Sequence, residues 1–521
     1  MSSDTDNISL RTLEGTSESE TDEKKSLLKG KEANNGKPGK EKLGKELSLV
    51  HGVGYIAGSI IGSGIFISPN GVIEQAGSYG MALIMWGLGG LLAIGGALCF
   101  CELGSFVKKS GGEYAYIQKG FSFNDRNRYV TVLGSLMSFL YTWTSTFCIR
   151  PMSIAIIILT FGTYLVKPFY LDCDVPIEIV KMVSAAGIGL LVLLNCYSVK
   201  LAARVMVILL MLKFLAAIFI VVLGIREVAT GCNQHFQTFF DGSNYSPSKL
   251  SLALYASLWA YDGWNTLNYG TEEAQNVSKT LQRSIYIAVP LVVVVYFLIN
   301  LSFFAVLSVN EITEATAVAL PFGSKTLGNA GVIIISLSVA ASTLGSGNGA
   351  AFAGTRVIFV AARDEKLPLM FSGVHRHFKT PIQSVFLYAI LGIIMLIPGD
   401  LGRLINSFNA ASWTFYGLCF ASLLIMRITC RHEARPYKVF LPIPILMLIA
   451  AVFLVILPLI EAPVDSIAAF GIILLGIPMY FIFIFPHKYK PAAFSKFNVW
   501  LAMNSSKLLD TTLSTYSEEN F

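Results

Sequence analysis

Asp262 places a carboxyl group in the middle of an otherwise uncharged stretch, Trp259-Ala260-Tyr261-Asp262-Gly263-Trp264-Asn265, and Lys213 places an ammonium in another, Met211-Leu212-Lys213-Phe214-Leu215. An ionisable group inside a long apolar segment is costly to bury and marks a functional site by default. An aspartate there can neutralise a cation directly or through water, or it can form an ion pair that only holds helices together. A lone ammonium needs carbonyl or carboxylate partners, and one use for it is to take the place of a bound cation beside unwound backbone. Arg150, followed by Pro151, reads instead as a structural residue at a kink.

Two segments look like helices that unwind halfway. Gly58-Ser59-Ile60-Ile61-Gly62-Ser63-Gly64-Ile65-Phe66 has three glycines and two serines within seven residues, and each Gly costs about 1 kcal/mol relative to Ala in a helix interior. The second is the stretch around Asp262 and Gly263. Freed N–H groups of Ser63, Gly64 and Ile65 at a half-helix start attract an anion such as a carboxylate. Freed carbonyls of Ile60, Trp259 and Asp262 accept from an ammonium. A zwitterionic α-amino acid satisfies both sets, whereas a single Gly-rich helix on its own reads equally as close helix packing.

The elements that carry these residues are membrane spans. The chain has 521 residues, 54% of them hydrophobic and only 14% charged, with a mean hydropathy of +0.61. That excludes a water-soluble globule and a disordered protein. Nearly uncharged runs fall at about 49–68, 81–105, 129–164, 178–197, 202–225, 250–271, 285–308, 330–361, 382–398, 403–426, 440–460 and 466–486, giving twelve expected transmembrane helices. The third and eighth are too long for upright spans and must tilt or extend beyond the bilayer. With the amino terminus inside, Lys and Arg number roughly 17 in the inner loops against 5 in the outer ones, which puts both termini in the cytoplasm. The expected organisation is a disordered cytoplasmic tail over 1–46, a twelve-helix domain over 47–486 and a cytoplasmic tail over 487–521.

Five helices separate each break from its counterpart about 200 residues on, so the second half is inverted relative to the first, as in inverted-repeat transporters. Other chemistry finds no support. Gly39-Lys40-Glu41-Lys42-Leu43-Gly44-Lys45-Glu46 imitates a phosphate-binding loop but lacks its Ser or Thr and a preceding strand. Gly52-Val53-Gly54-Tyr55-Ile56-Ala57 imitates a dinucleotide fingerprint but runs straight into a membrane helix. The six histidines fall at span ends, in loops or in a tail, where they offer no haem-ligating pair. Basic residues are too scattered for nucleic acid. No enzyme activity, metal or cofactor is expected; a channel or a signalling receptor is the less favoured alternative, and a channel would need a polar filter or a charged ring.

Gly58 to Phe66, Cys101-Glu102-Leu103-Gly104 followed by Ser110-Gly111-Gly112-Glu113-Tyr114, Gly263-Trp264-Asn265 with Thr271-Glu272-Glu273, and Arg435-Pro436-Tyr437-Lys438-Val439 together resemble the light chains of the heteromeric amino acid transporters. These belong to the amino acid–polyamine–organocation superfamily, and the resemblance covers about residues 47–490 with the motifs in order. It implies an all-α, LeuT-like fold, a 5+5 inverted repeat with broken helices 1 and 6. It also implies sodium-independent, obligatory exchange of amino acids at the plasma membrane. Ile60, Ser63 and Gly64 would hold the α-amino and α-carboxyl groups, with Ile65 and Asn265 beside them. Trp259 would be the aromatic gate, and Lys213 would stand in for a sodium ion.

The stretches around Asp262 and Ser412-Trp413-Thr414-Phe415-Tyr416-Gly417-Leu418 are similar to the subtype that exchanges cationic amino acids and cystine for neutral ones. The alternative is exchange of neutral amino acids only, with Asp262 structural. Cys173, in the outer loop between the third and fourth spans, matches the family's disulfide to a single-span glycoprotein heavy chain; pairing of Cys173 with Cys232 is the rival.

Overall fold

The computed structural model describes residues 49–513 apart from 108–110, 123–127, 171–172, 174, 198, 232–237, 274–276, 316 and 485–491. The tail expected over 1–46 and Cys232 lie outside the described residues.

The protein is an all-α membrane protein. Its helices are α1 (Leu49–Ile60), α2 (Gly64–Ala76), α3 (Tyr79–Phe106), α4 (Glu113–Phe121), α5 (Arg128–Thr144), α6 (Arg150–Val166), α7 (Ile177–Tyr197), α8 (Val199–Ala229), α9 (Pro247–Tyr261), α10 (Val277–Val306), α11 (Val309–Glu314), α12 (Ala319–Arg363), α13 (Ile382–Leu396), α14 (Leu401–Thr429), α15 (Pro442–Ile456), α16 (Pro458–Glu461), α17 (Pro463–Phe483) and α18 (Ala492–Leu508). Among the described residues, eight helices are long and apolar enough to cross a membrane, and nine when the first bent pair, which turns by 47°, counts as one.

The two overlong runs have separate explanations. In the third, a π turn at Ser145–Ile149 joins α5 to α6, so one continuous helical path runs across 39 residues. In the eighth, Gly328 adopts φ 62° and ψ −149° inside α12, which cuts a short N-terminal helix away from the span proper.

The membrane shows in the side chains. On α8, Ile208, Met211, Leu215, Ile218, Val222 and Ile225 are exposed at helical spacing and form one apolar stripe. The opposite face carries Lys213, Ala216, Ala217, Ile220 and Leu223, all buried. Helical periodicity alone therefore turns the Lys213 ammonium inward.

The segment after the last span is ordered where it is described. Strand β2 (Thr511–Leu513) pairs antiparallel with β1 (Gly373–His375), in the connection between α12 and α13. Gln383 Nε2 donates to Thr511 Oγ1 at 2.9 Å, the amide of Leu369 donates to Asn498 Oδ1 at 3.2 Å, and Arg376 lies 3.5 Å from Asp510.

Candidate functional site

Helix α1 stops at Ile60 and α2 begins at Gly64, while α9 stops at Tyr261 ahead of Gly263 with φ 110°. The two breaks face one another. A Cβ on Gly64 would lie 2.4 Å from Ala260 Cα, and one on Gly263 would lie 3.1 Å from the carbonyl carbon of Ser59. At Gly64 only glycine allows backbone this close, and at Gly263 the positive φ makes the demand. Away from the breaks α2 and α9 continue in contact, where Gly71 meets Ala256.

Each break leaves polar backbone to satisfy, since the first turn of α2 presents N–H groups that the helix cannot bond itself. Ser63 precedes that turn without a capping bond from its side chain. At the other ends, the Tyr296 hydroxyl lies 2.8 Å from Ile60 O and 3.0 Å from Ala260 O, so one donor serves the last turns of both α1 and α9. Trp259 O accepts from the Asp262 amide at 3.2 Å. Two of the carbonyls expected to meet an ammonium thus already have one partner, and each keeps a second lone pair.

Lys213 is 4% exposed, and its Nζ donates to Gly58 O at 3.3 Å and to Ser346 Oγ at 2.7 Å. The single charge ties the end of α1 to α12. Trp259 is buried edge-on to Phe408, with ring centroids 4.7 Å apart, and its Nε1 has no hydrogen-bond partner among the described residues. The buried hydroxyls of Ser145 and Thr146 in the π turn, Ser342 on α12 and Ser412 on α14 are likewise without partners there. Orphaned buried donors of this kind need explaining, and a polar ligand is one explanation.

Asp262 Oδ1 accepts from the Tyr416 hydroxyl at 3.0 Å. Asn265 Nδ2 reaches Tyr416 at 3.4 Å and Glu113 Oε1 as well, and Glu113 Oε2 accepts from Tyr141 at 3.1 Å. Arg150, placed by the π turn, donates to the Tyr269 hydroxyl at 2.9 Å. Glu113, Tyr296, Ser346 and Tyr416 are the partners that the sequence reading did not assign to the site. The available signal was for Glu113, an acidic residue opening a helix after two glycines, where the helix dipole favours it.

Cys173 lies apart from this site, exposed and unpaired among the described cysteines, with Lys167 Nζ 3.0 Å from its carbonyl.

Many apolar helices around a central pair of broken ones, with polar groups converging at the breaks, make this a membrane transporter rather than an enzyme. The chain belongs to the amino acid permease family, which it matches over residues 47–485, and is therefore a multi-pass amino acid transporter. It is 40% identical to the b(0,+)-type amino acid transporter 1 of Homo sapiens over 85% of this chain and 88% of that one. It is 38% identical to the human cystine/glutamate transporter over 91% of each chain. To the human large neutral amino acids transporter small subunit 2 it is 36% identical, over 89% of this chain and 85% of the relative.

Proposed function

We propose that this protein is a sodium-independent exchanger that moves cationic amino acids and cystine against neutral amino acids by alternating access. Twelve spans form a LeuT-like 5+5 inverted repeat in the plasma membrane, with both termini in the cytoplasm. The backbone at Ile60, Ser63, Gly64 and Ile65 binds the α-amino and α-carboxyl groups, and Trp259 closes the site from outside. Lys213 fills the position of a coupling cation. The observation that carries the reading is a carboxyl group, Asp262, at the break between α9 and the turns that follow it, flanked by the close approaches of Ala260 to Gly64 and of Gly263 to Ser59. A cationic side chain would meet this group directly, since no ion pair joins Asp262 to a basic residue among those described. The likeness to the b(0,+)-type transporter supports the same subtype.

Liposomes loaded with Leu or Arg test this directly, with labelled Arg, cystine and Leu outside, in the presence and absence of sodium. Uptake that depends on internal amino acid and ignores sodium is the expected result; no labelled amino acid entering overturns the reading. Asp262→Asn is expected to spare Leu uptake more than Arg uptake. The Tyr416 bond favours a second reading, in which Asp262 is structural and only neutral amino acids are exchanged. Equal loss of Leu and Arg uptake in the variant would decide for it.

A single-span glycoprotein heavy chain joins the transporter through Cys173, whose exposure leaves it accessible on the oxidising outer face. Cys173→Ser is expected to abolish a high-mass band on a non-reducing gel. Persistence of that band would assign the link elsewhere.

A further inference from the structure

The hydrogen bonds around Asp262 belong to one directed chain. Ionised carboxylates only accept and guanidinium only donates. Arg150 therefore donates to Tyr269 at 2.9 Å, Tyr269 to Tyr141 at 3.4 Å, and Tyr141 to Glu113 Oε2 at 3.1 Å. From the other side Asn265 donates both to Glu113 Oε1 and to Tyr416, and Tyr416 donates to Asp262 at 3.0 Å. The chain links α4, α5, α6, the turns after α9 and α14, and Glu113, Tyr141, Asn265 and Tyr416 are all at most 8% exposed.

Its formal charges do not balance. One guanidinium stands against two carboxylates, and among the described residues none of the three makes an ion pair. Lys213, the other buried cation near the breaks, is held by Gly58 and Ser346. We infer that Glu113 is a specificity-determining residue: with Asp262 it leaves the site one positive charge short, and the side chain of a cationic amino acid supplies that charge. The inference rests on the cationic-exchange reading above and deepens it. Glu113 acts at a distance, because a charge in a poorly screened interior is felt well beyond hydrogen-bond range. It also acts through contact, because its bond to Asn265 fixes the side chain that in turn orients Tyr416 toward Asp262. Glu113 is thus the positioning residue for the carboxylate at the break.

The test is the ratio of Arg to Leu uptake, and of their KM values, measured for each variant in liposomes so that expression level cancels. If the unaltered protein takes up no Arg, the cationic-exchange reading itself fails and the variants are not needed to show it. If it does, Glu113→Gln is expected to lower the Arg-to-Leu ratio about tenfold through the KM for Arg, and Glu113→Asp to keep most of it. Arg150→Gln removes the positive charge and is expected to raise the ratio. Combining Glu113→Gln with Arg150→Gln returns the formal deficit to one and is expected to bring the ratio back toward that of the unaltered protein. An unchanged ratio in Glu113→Gln, or equal loss of both substrates in monodisperse protein, overturns the proposal. Should Glu113→Gln fail to fold, a ratio that stays level or falls in Arg150→Gln overturns it equally.

Discussion

Lys213→Met is expected to lower uptake of every amino acid substrate by more than about a hundredfold per purified molecule. The ammonium is 4% exposed and makes two hydrogen bonds, to Gly58 O at 3.3 Å and to Ser346 Oγ at 2.7 Å. Bonds to a charged group contribute about 1.5–3 kcal/mol each, and a factor of ten in an equilibrium takes about 1.4 kcal/mol, so losing both changes the population of the aligned break by two orders of magnitude or more. Methionine is close to lysine in length and apolar, so the packing of α8 against α10 and α12 is kept while the polar tie is lost. Gly58 is two residues before Ile60, where α1 ends, and the loss therefore falls on the backbone proposed to bind substrate. Uptake in liposomes, normalised to protein that elutes as a single species, gives the answer. More than a tenth of normal uptake remaining in Lys213→Met would show that the tie is dispensable.

How far the sequence reveals this site depends on what kind of signal each residue carries. The breaks were legible because their cause is local: Gly62 and Gly64 weaken a helix wherever they stand, and the structure ends α1 at Ile60 and restarts at Gly64. Gly263 likewise carries a positive φ directly after α9. Lys213 and Asp262 stood out because ionisable residues are rare in apolar runs. Tyr296, Ser346 and Tyr416 carry no such mark, since tyrosine and serine are common in membrane helices. Their importance arises from contacts across 133 to 236 residues of sequence, which only tertiary packing creates. The segment after the last span was legible only as a tail. Three residues of strand pairing with Gly373–His375 leave no periodicity to read. Arg427 and Arg435 were legible for one purpose only. They counted toward the cytoplasmic excess of positive charge, while their burial against a single glutamate depends on Glu102, more than 300 residues earlier.

That cluster carries the second large expectation: Glu102→Ala should destabilise the protein by about 3–5 kcal/mol, the range found when one partner of a buried ion pair is removed. Glu102 is fully buried at the end of α3 and accepts from Arg427 Nε at 3.1 Å, from a second Arg427 nitrogen, from Arg435 at 3.0 Å and from the Val439 amide at 2.8 Å. Both arginine side chains are only 8% exposed, and Arg435 also lies over the Phe106 ring, 4.1 Å from its centroid. Removing the carboxylate leaves two guanidinium groups facing each other with no counter-charge. Glu102→Gln should help little, because its amide turns donors toward donors. Combining Glu102→Leu with Arg427→Met and Arg435→Met should recover much of the loss, since replacing a whole buried charge cluster by apolar groups is often neutral. Thermal unfolding of the purified protein separates these outcomes, and an unshifted transition in Glu102→Ala would mean that the two arginines find other partners. The cluster joins the C-terminal end of α3 to the C-terminal end of α14 and to the chain leading into α15. Both α3 and α14 pack against α9, whose end forms the second break. Loss of Glu102 should therefore reduce uptake and stability together, in contrast to Glu113→Gln, which should separate one substrate from another.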